Sequence, residues 1–402
     1  METPRTVLKP RRVTRRIVVG GVGIGGDEPI RVQSMTNTKT SDVAATVEQA
    51  YRLAKAGAEL VRITTQSAKH AQLLAEVKKG LAARGVDVPI IADIHFVPAV
   101  AFEALKTADK VRINPGNFLD SRVWKRREYT NEEYAAELVQ LEEKLSPFID
   151  EAKKWKKPLR IGTNHGSLSD RILNRFGDTS LGMVESTLEY LQIFRKHGFE
   201  DIVVGLKASD PVMLIEANRL LVERLDAESM DYPIHLGVTE AGNGDEGRVK
   251  STLGIATLLL DGIGDTVRVS LTEDPVAEIP VAYAILQATR RRITRAEFIS
   301  CPSCGRTYYD LETVTNAIKQ RLGHLRGVRI GIMGCIVNGI GEMAGADFGY
   351  VGGAPGKVNL FVGKECVKRN VPEDGAVDAL IALIKAHGKW QEPKTAIAHD
   401  TV

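Results

Sequence analysis

Cys301 and Cys304 form a CxxC within CPSCGR, and Cys335 stands in GCIVNGIGE, a glycine-rich stretch that ends on Glu342. A CxxC alone fits zinc, a redox dithiol or an iron–sulfur site. A closed zinc site wants four thiolate or nitrogen ligands, and His324 is the nitrogen on offer. A thioredoxin-like pair has no use for Cys335. Three thiolates near a flexible glycine loop suit an iron–sulfur cluster, which usually takes four. Cys366 could be the fourth, but Lys364–Lys368 has no turn residues, and a partly buried free thiol is the better reading. Glu342 is the other candidate. A carboxylate is a harder and more readily displaced ligand than a thiolate. An iron so held could open to a substrate oxygen and feed it electrons, as catalytic zinc sites keep an open position.

A second set of residues carries charge. Val61-Arg62-Ile63, Val111-Arg112-Ile113, Leu159-Arg160-Ile161 and Val267-Arg268-Val269 each place an arginine between two aliphatics. On a strand the two faces alternate, so aliphatics toward an outer layer put the arginines on the opposite face. Several guanidiniums buried together without partners are costly. The charge is tolerable at the wet catalytic mouth or against a polyanion, and arginine's planar fork suits phosphate. Asp93, His95, Asn114, Asn164, Lys207, Glu240 and Ser270 stand at matching strand ends. As a set they predict a ligand bearing phosphate or diphosphate. Glu240 is the odd sign. It either does acid/base work or holds Arg268 or Lys207 in an ion pair.

These residues need a scaffold that brings strand ends to one face. From residue 30 the chain alternates apolar runs with helical stretches. The runs are Ile30–Met35, Leu60–Thr64, Pro89–Ile94, Lys110–Ile113, Leu159–Thr163, Ile202–Leu206, Ile234–Val238 and Thr266–Ser270. Helical stretches include Val43–Ala56 and Thr179–Arg195. This pattern predicts a (β/α)8 TIM barrel, whose active sites gather at the carboxyl ends of the strands; a doubly wound sheet is the alternative. A charged helix over Asn131–Trp155 reads as an insertion. Within residues 1–29, Gly21–Gly26 matches GxGxxG, but a strand and not a helix follows, so a glycine-rich hairpin turn is expected rather than a nucleotide loop. The domains read as an extension at 1–29, a substrate-binding barrel at 30–292, a small α/β domain at 293–390 and a frayed tail at 391–402. In the small domain, Leu311–Leu322 and Ala376–His387 read as helices, and Val328–Met333, Phe348–Val351 and Val358–Val362 as strands.

Composition excludes other classes. Hydrophobic residues make up 43% of 402, enough for a large core. The net charge of +3 and 5% aromatics argue against an RNA-binding module, since single-strand binders lean on stacking. No apolar run approaches a membrane span, and no signal-peptide core follows the basic start. The expected location is the cytoplasm.

The motifs VQSMTNT, ADIHF, RINPGN, RIGTNHGSLSDR, HLGVTEAG, GDTVRVSL, CPSCGR and GCIVNGIGE together resemble the 4-hydroxy-3-methylbut-2-enyl diphosphate synthase (IspG/GcpE) family, from about residue 28 to 388. The resemblance implies a TIM barrel followed by a small domain similar to the iron–sulfur domain of sulfite reductases. It implies a [4Fe–4S] cluster on Cys301, Cys304, Cys335 and Glu342, whose open iron binds the C3 oxygen of 2-C-methyl-D-erythritol 2,4-cyclodiphosphate. Arg62, Arg112, Asn114, Arg160, Asn164, Lys207, Arg268 and Ser270 would bind that substrate, and Glu240 would be the acid/base near its C3 hydroxyl. Electrons would come from ferredoxin or flavodoxin. The family dimerises head to tail, one chain's cluster domain closing over its partner's barrel. Two features depart from common members. Ile340 stands where many have proline, and Phe118–Lys157 is longer, as in plant-type enzymes, while the plant form's extra middle domain is absent. Without the resemblance, the competing reading is a phosphate-binding barrel aldolase or isomerase with a structural metal domain and Lys207 as a Schiff-base candidate.

Overall fold

The computed structural model describes residues 7–119 and 128–393. They fall into two compact units divided between Arg292 and Ile293. The first opens with a hairpin, β1 (Ile17–Val19) and β2 (Val22–Ile24), paired Val19 to Val22. Its two-residue turn is Gly20-Gly21, both at positive φ (53° and 87°), as a turn matched to strand twist requires. The expected hairpin is therefore present, but its tight turn starts one residue before the GxGxxG run. Much of that run is β2 itself. Ile17, Val19 and Ile24 pack on Leu60, Ile91 and Val203, covering the end of the barrel away from the strand carboxyl ends.

Eight parallel strands follow: β3 (Arg31–Met35), β4 (Leu60–Thr64), β5 (Ile90–Asp93), β6 (Lys110–Ile113), β7 (Leu159–Asn164), β8 (Ile202–Lys207), β9 (His235–Leu236) and β10 (Thr266–Val267). Their order is β8-β7-β6-β5-β4-β3-β10-β9. A parallel bridge between Val204 and Ile234 joins β8 to the β9 side, so the sheet closes on itself. This is the TIM barrel expected from the alternating pattern. The last two strands are shorter than their apolar runs. The ladder nonetheless continues past β10, where Arg268 N donates to Leu236 O at 2.9 Å, and this keeps Arg268 in register. Outward aliphatics such as Val61, Ile63, Val111, Ile113, Ile161 and Val267 join helix residues in one large core. The helix Asn131–Trp155 begins in a full capping box between Thr130 and Glu133. Part of the Phe118–Lys157 segment, residues 120–127, lies outside the described residues, as do 1–6 and 394–402.

The second unit holds five strands: β11 (Glu297–Ser300), β12 (Arg329–Met333), β13 (Phe348–Ala354), β14 (Lys357–Val362) and β15 (Glu365–Pro372), in that order across the sheet. The first three are parallel and the last two antiparallel. The helices Leu311–Leu322 and Glu373–Ala386 share its core. β11 and β15 have no clear apolar alternation. β15 is an edge strand whose side chains are mostly exposed, so packing left little mark on its sequence. One correction concerns GCIVNGIGE. Instead of an open glycine loop, Ile336–Glu342 forms a short helix with Cys335 at its N-cap. Glycine disfavours helix, but Gly339 is buried and the helix runs into fully buried Met343, so tertiary packing overrides propensity. Among the described residues no helix is long and apolar enough to cross a membrane.

Candidate active site

The arginine triplets behave as strand geometry requires: the aliphatics join the outer core and Arg62, Arg112 and Arg160 are buried on the opposite face, toward the barrel axis. Arg112 and Arg160 stand opposite each other on β6 and β7. Lys207 ends β8 on the same face and is 3% exposed.

Long side chains need lateral space inside a barrel, and glycines supply it. A Cβ on Gly162 of β7 would meet Arg112 Nε at 2.6 Å, one on Gly205 of β8 would meet Arg160 Nη2 at 3.1 Å, and one on Gly237 beyond β9 would meet Lys207 Nζ at 3.0 Å. Each cation thus lies across the missing side chain of the next strand. Gly162→Ala is expected to displace the Arg112 guanidinium and to cost about 1–3 kcal/mol of stability by overpacking. Thermal melts check the cost, and diphosphate titration checks the displacement. Unchanged values in both would mean that Arg112 does not need the gap.

The partners are unequal. Arg112 donates to Asp93 Oδ1 at 3.0 Å, to Gly162 O at 2.7 Å, to Asn164 Oδ1 at 3.4 Å and to His95 Nε2 at 2.6 Å. Arginine has no acceptor, so that His95 nitrogen is unprotonated. Asp93 also lies 3.8 Å from Arg62 Nε. Burial pushes the Asp93 carboxyl up, but Arg62 and Arg112 outweigh it and hold it well below the usual range. Arg268 is held by Glu278 at 3.1 Å, and Glu278 also accepts from Ser34 Oγ and Leu271 N. Arg160 is the contrast. It is 1% exposed, and none of its three guanidine nitrogens has a hydrogen-bond partner among the described residues. Ser270 Oγ and Lys110 Nζ are buried and equally unpartnered. Burial, then the neighbouring guanidiniums, pulls Arg160 and Lys207 well below their ordinary values. Arg62, also buried, falls to about 10. Six basic side chains therefore face two committed carboxylates, an arrangement that is costly to keep fully charged without a bound anion.

Glu240 does not make the ion pair that was one of its two readings. Glu278 takes Arg268, and Glu240 is exposed with no hydrogen bond or ion pair among the described residues. Its φ of +54° is a left-handed conformation rare for a side-chain-bearing residue and common at functional sites. Asn114 is fully buried and donates to Ser167 Oγ at 2.9 Å, bracing the loops after β6 and β7. Two charged members of the barrel were not anticipated. Lys110 could have been found, because it precedes Arg112 by two residues and so shares its face. Glu278 lies on the helix after β10 and had no such signal.

In the second unit, one cavity of about 170 Å³ is lined by Cys301, Cys304, Cys335 and Glu342, with Met333 and Arg306. Strand topology explains the gathering. β11 and β12 are parallel neighbours, paired Ser300 to Ile332, so Cys301 and Cys335 leave adjacent strands on the same side. Cys301 N donates to Ile332 O at 3.2 Å, and Gly334 N donates to Cys301 Sγ at 3.3 Å. Ser303, inside the CxxC, has φ +68°. Glu342 comes from the far end of the short helix that Cys335 caps. All four cysteines are free thiols. The donors are not drawn to ligating distances: among the described residues no group of three or more His, Cys, Asp or Glu is so arranged. Their chemistry nonetheless suits an iron–sulfur cluster, with three thiolates and one exchangeable carboxylate around one cavity. The other candidates are elsewhere. The Cys366 thiol, on β15, points to Lys368 O, and His324 is engaged by Gln391 O and the Trp390 ring.

Fold and site define a cation-lined (β/α)8 barrel followed by a small α/β unit with a cavity of thiols and one carboxylate. The chain belongs to the GcpE family: the GcpE TIM-barrel domain matches residues 14–283 and the GcpE protein C-terminal domain matches residues 297–386. It is 50% identical over 385 residues to the 4-hydroxy-3-methylbut-2-en-1-yl diphosphate synthase (ferredoxin) of Parasynechococcus marenigrum (strain WH8102), covering 95% of this chain and 96% of the relative. It is 50% identical over 388 residues to the protein of the same name from Gloeobacter violaceus (strain ATCC 29082 / PCC 7421), covering 96% and 98%. The family resemblance read from the eight motifs holds.

Proposed function

We propose that this protein catalyses the two-electron reductive ring opening and dehydration of 2-C-methyl-D-erythritol 2,4-cyclodiphosphate to 4-hydroxy-3-methylbut-2-enyl diphosphate, a step of the methylerythritol phosphate route to isoprenoids. The observation that carries this reading is the cavity where Cys301, Cys304, Cys335 and Glu342 meet. These four would hold a [4Fe–4S] cluster, which would relay the two electrons one at a time from an external donor and supply an iron as Lewis acid. Two electrons and two protons are consumed, the ring C–O bond breaks, and the C3 hydroxyl leaves as water. Ferredoxin, which the relatives' names carry, is the proposed electron donor, and a homodimer the proposed assembly.

The barrel's residues have distinct tasks in this reading. Arg62, Arg112, Arg160, Lys207 and Arg268 hold the diphosphate, with Asn164 and Ser270 donating at its edges. They supply the electrostatic fit of a site built for a polyanion. They also hold the leaving phosphate oxygen as charge develops on it. Glu240, unpaired among the described residues and set in the loop after β9, delivers a proton to the departing C3 oxygen. Asn114 keeps the loops around the mouth in register.

Glu342→Gln is the experiment for the cluster. A neutral amide is a poorer ligand than a carboxylate, so anaerobically prepared protein should hold less iron and turn over more slowly while its melting temperature stays close to the parent's. Unchanged iron content and unchanged turnover would reject Glu342 as a ligand.

A further inference from the structure

Lys110 has no task in that mechanism. It opens β6, two residues before Arg112 on the same face, and it is fully buried. Its Nζ has no hydrogen-bond partner among the described residues. The charged groups that act on it are Arg160 from β7 and Arg62 from β4, both cations, and His235 of β9 also feels it. Among the described residues no carboxylate pairs with it: Asp93 on β5 is committed to Arg112 and Arg62, and Glu278 to Arg268. Two of the groups that interact with it are also unmatched, since the Arg160 guanidinium and His235 Nε2 are buried without partners among the described residues.

Such a cluster cannot stay fully charged without an anion. Guanidinium does not give up its proton under ordinary conditions, whereas a buried amine does. We propose that Lys110 is a positioning residue of the diphosphate site, uncharged in the free protein and protonated when a diphosphate-bearing ligand settles on Arg160 and Arg62. The inference rests on reading the barrel as a diphosphate site. The proton comes from solvent: amine, proton and ligand anion go in, and the ammonium–anion complex comes out. Recharging Lys110 adds a positive charge beneath the ligand and fixes Arg160 against it. Burial first, then Arg160 and Arg62, lowers the Lys110 amine to about 7 in the free protein. The sign follows. A bound anion raises that value, so binding takes up a proton, and affinity falls as pH rises above about 7, by about tenfold per pH unit for each proton taken up.

The test is calorimetric titration of inorganic diphosphate into the anaerobic holoenzyme, in buffers of different ionisation heat at about pH 8. The wild type should take up protons, and both Lys110→Met and Lys110→Arg should take up about one fewer. Lys110→Arg keeps the charge and the fold, and should lose part of the pH dependence while still binding. Equal proton uptake in the wild type and both variants would overturn the proposal and leave the diphosphate reading standing. A wild-type affinity that is flat between about pH 6 and 9 would overturn it without any variant. A wild type that does not bind diphosphate would overturn both.

Discussion

Arg160→Met is expected to make the free protein more stable and the enzyme nearly inert. The Arg160 side chain is 1% exposed, its three nitrogens are unpartnered among the described residues, and its neighbours are mostly cations. Replacing such a charge with an apolar side chain of similar length removes desolvation and repulsion together, a gain of about 1–4 kcal/mol. The same change removes the guanidinium fork proposed to hold the diphosphate. Two charge-assisted hydrogen bonds at about 1.5–3 kcal/mol each predict a loss of at least about a hundredfold in diphosphate affinity. Thermal melts with and without inorganic diphosphate test both halves. The variant should melt higher than the wild type without ligand and gain little when ligand is added. A lower ligand-free melting temperature would show that Arg160 is satisfied within the fold, and the functional account of the barrel's excess charge would fall with it.

The second large effect concerns Glu240. Its amide variant removes the proposed proton donor and no structural partner, since Arg268 is already held by Glu278. Glu240→Gln should therefore bind substrate with a KM within a fewfold of the parent, and lose about 10²- to 10⁴-fold in kcat. Its stability should stay within about 0.5 kcal/mol. Glu278→Gln is the informative contrast. It loosens Arg268, Ser34 and Leu271 together, so stability and binding should both fall. Turnover near the wild-type rate in Glu240→Gln would remove its acid/base role.

Much of this was legible in the chain because strand periodicity acts on every residue of a barrel. The period of two that turns Val61 and Ile63 outward turns Arg62 inward, and the same rule reaches Lys110 from Arg112. It also reaches Gly162 from Arg160 and Gly205 from Lys207, which makes the glycine gaps readable in retrospect. The small domain hid more. β11 carries Cys301 to the side of Cys335, yet its residues Glu297 and Ser300 are exposed and leave no alternation to read. The helix at Ile336–Glu342 runs against glycine's propensity, because packing around Gly339 and Met343 decides it. Glu278 was invisible for a different reason: its partners Ser34 and Arg268 lie on two strands that only closure of the barrel brings to one helix. Neither alternation nor spacing separates Glu342 from Cys366 as the fourth ligand. Family resemblance favoured Glu342, and the shared cavity supports it.

The central claim is that the thiols and Glu342 hold a cluster able to deliver electrons. The most direct measurement is iron, acid-labile sulfide and visible absorption on protein purified without air. The account predicts a brown protein that bleaches in air, with iron and sulfide both approaching about four per chain. A colourless protein holding zinc, with neither iron nor sulfide, would contradict it.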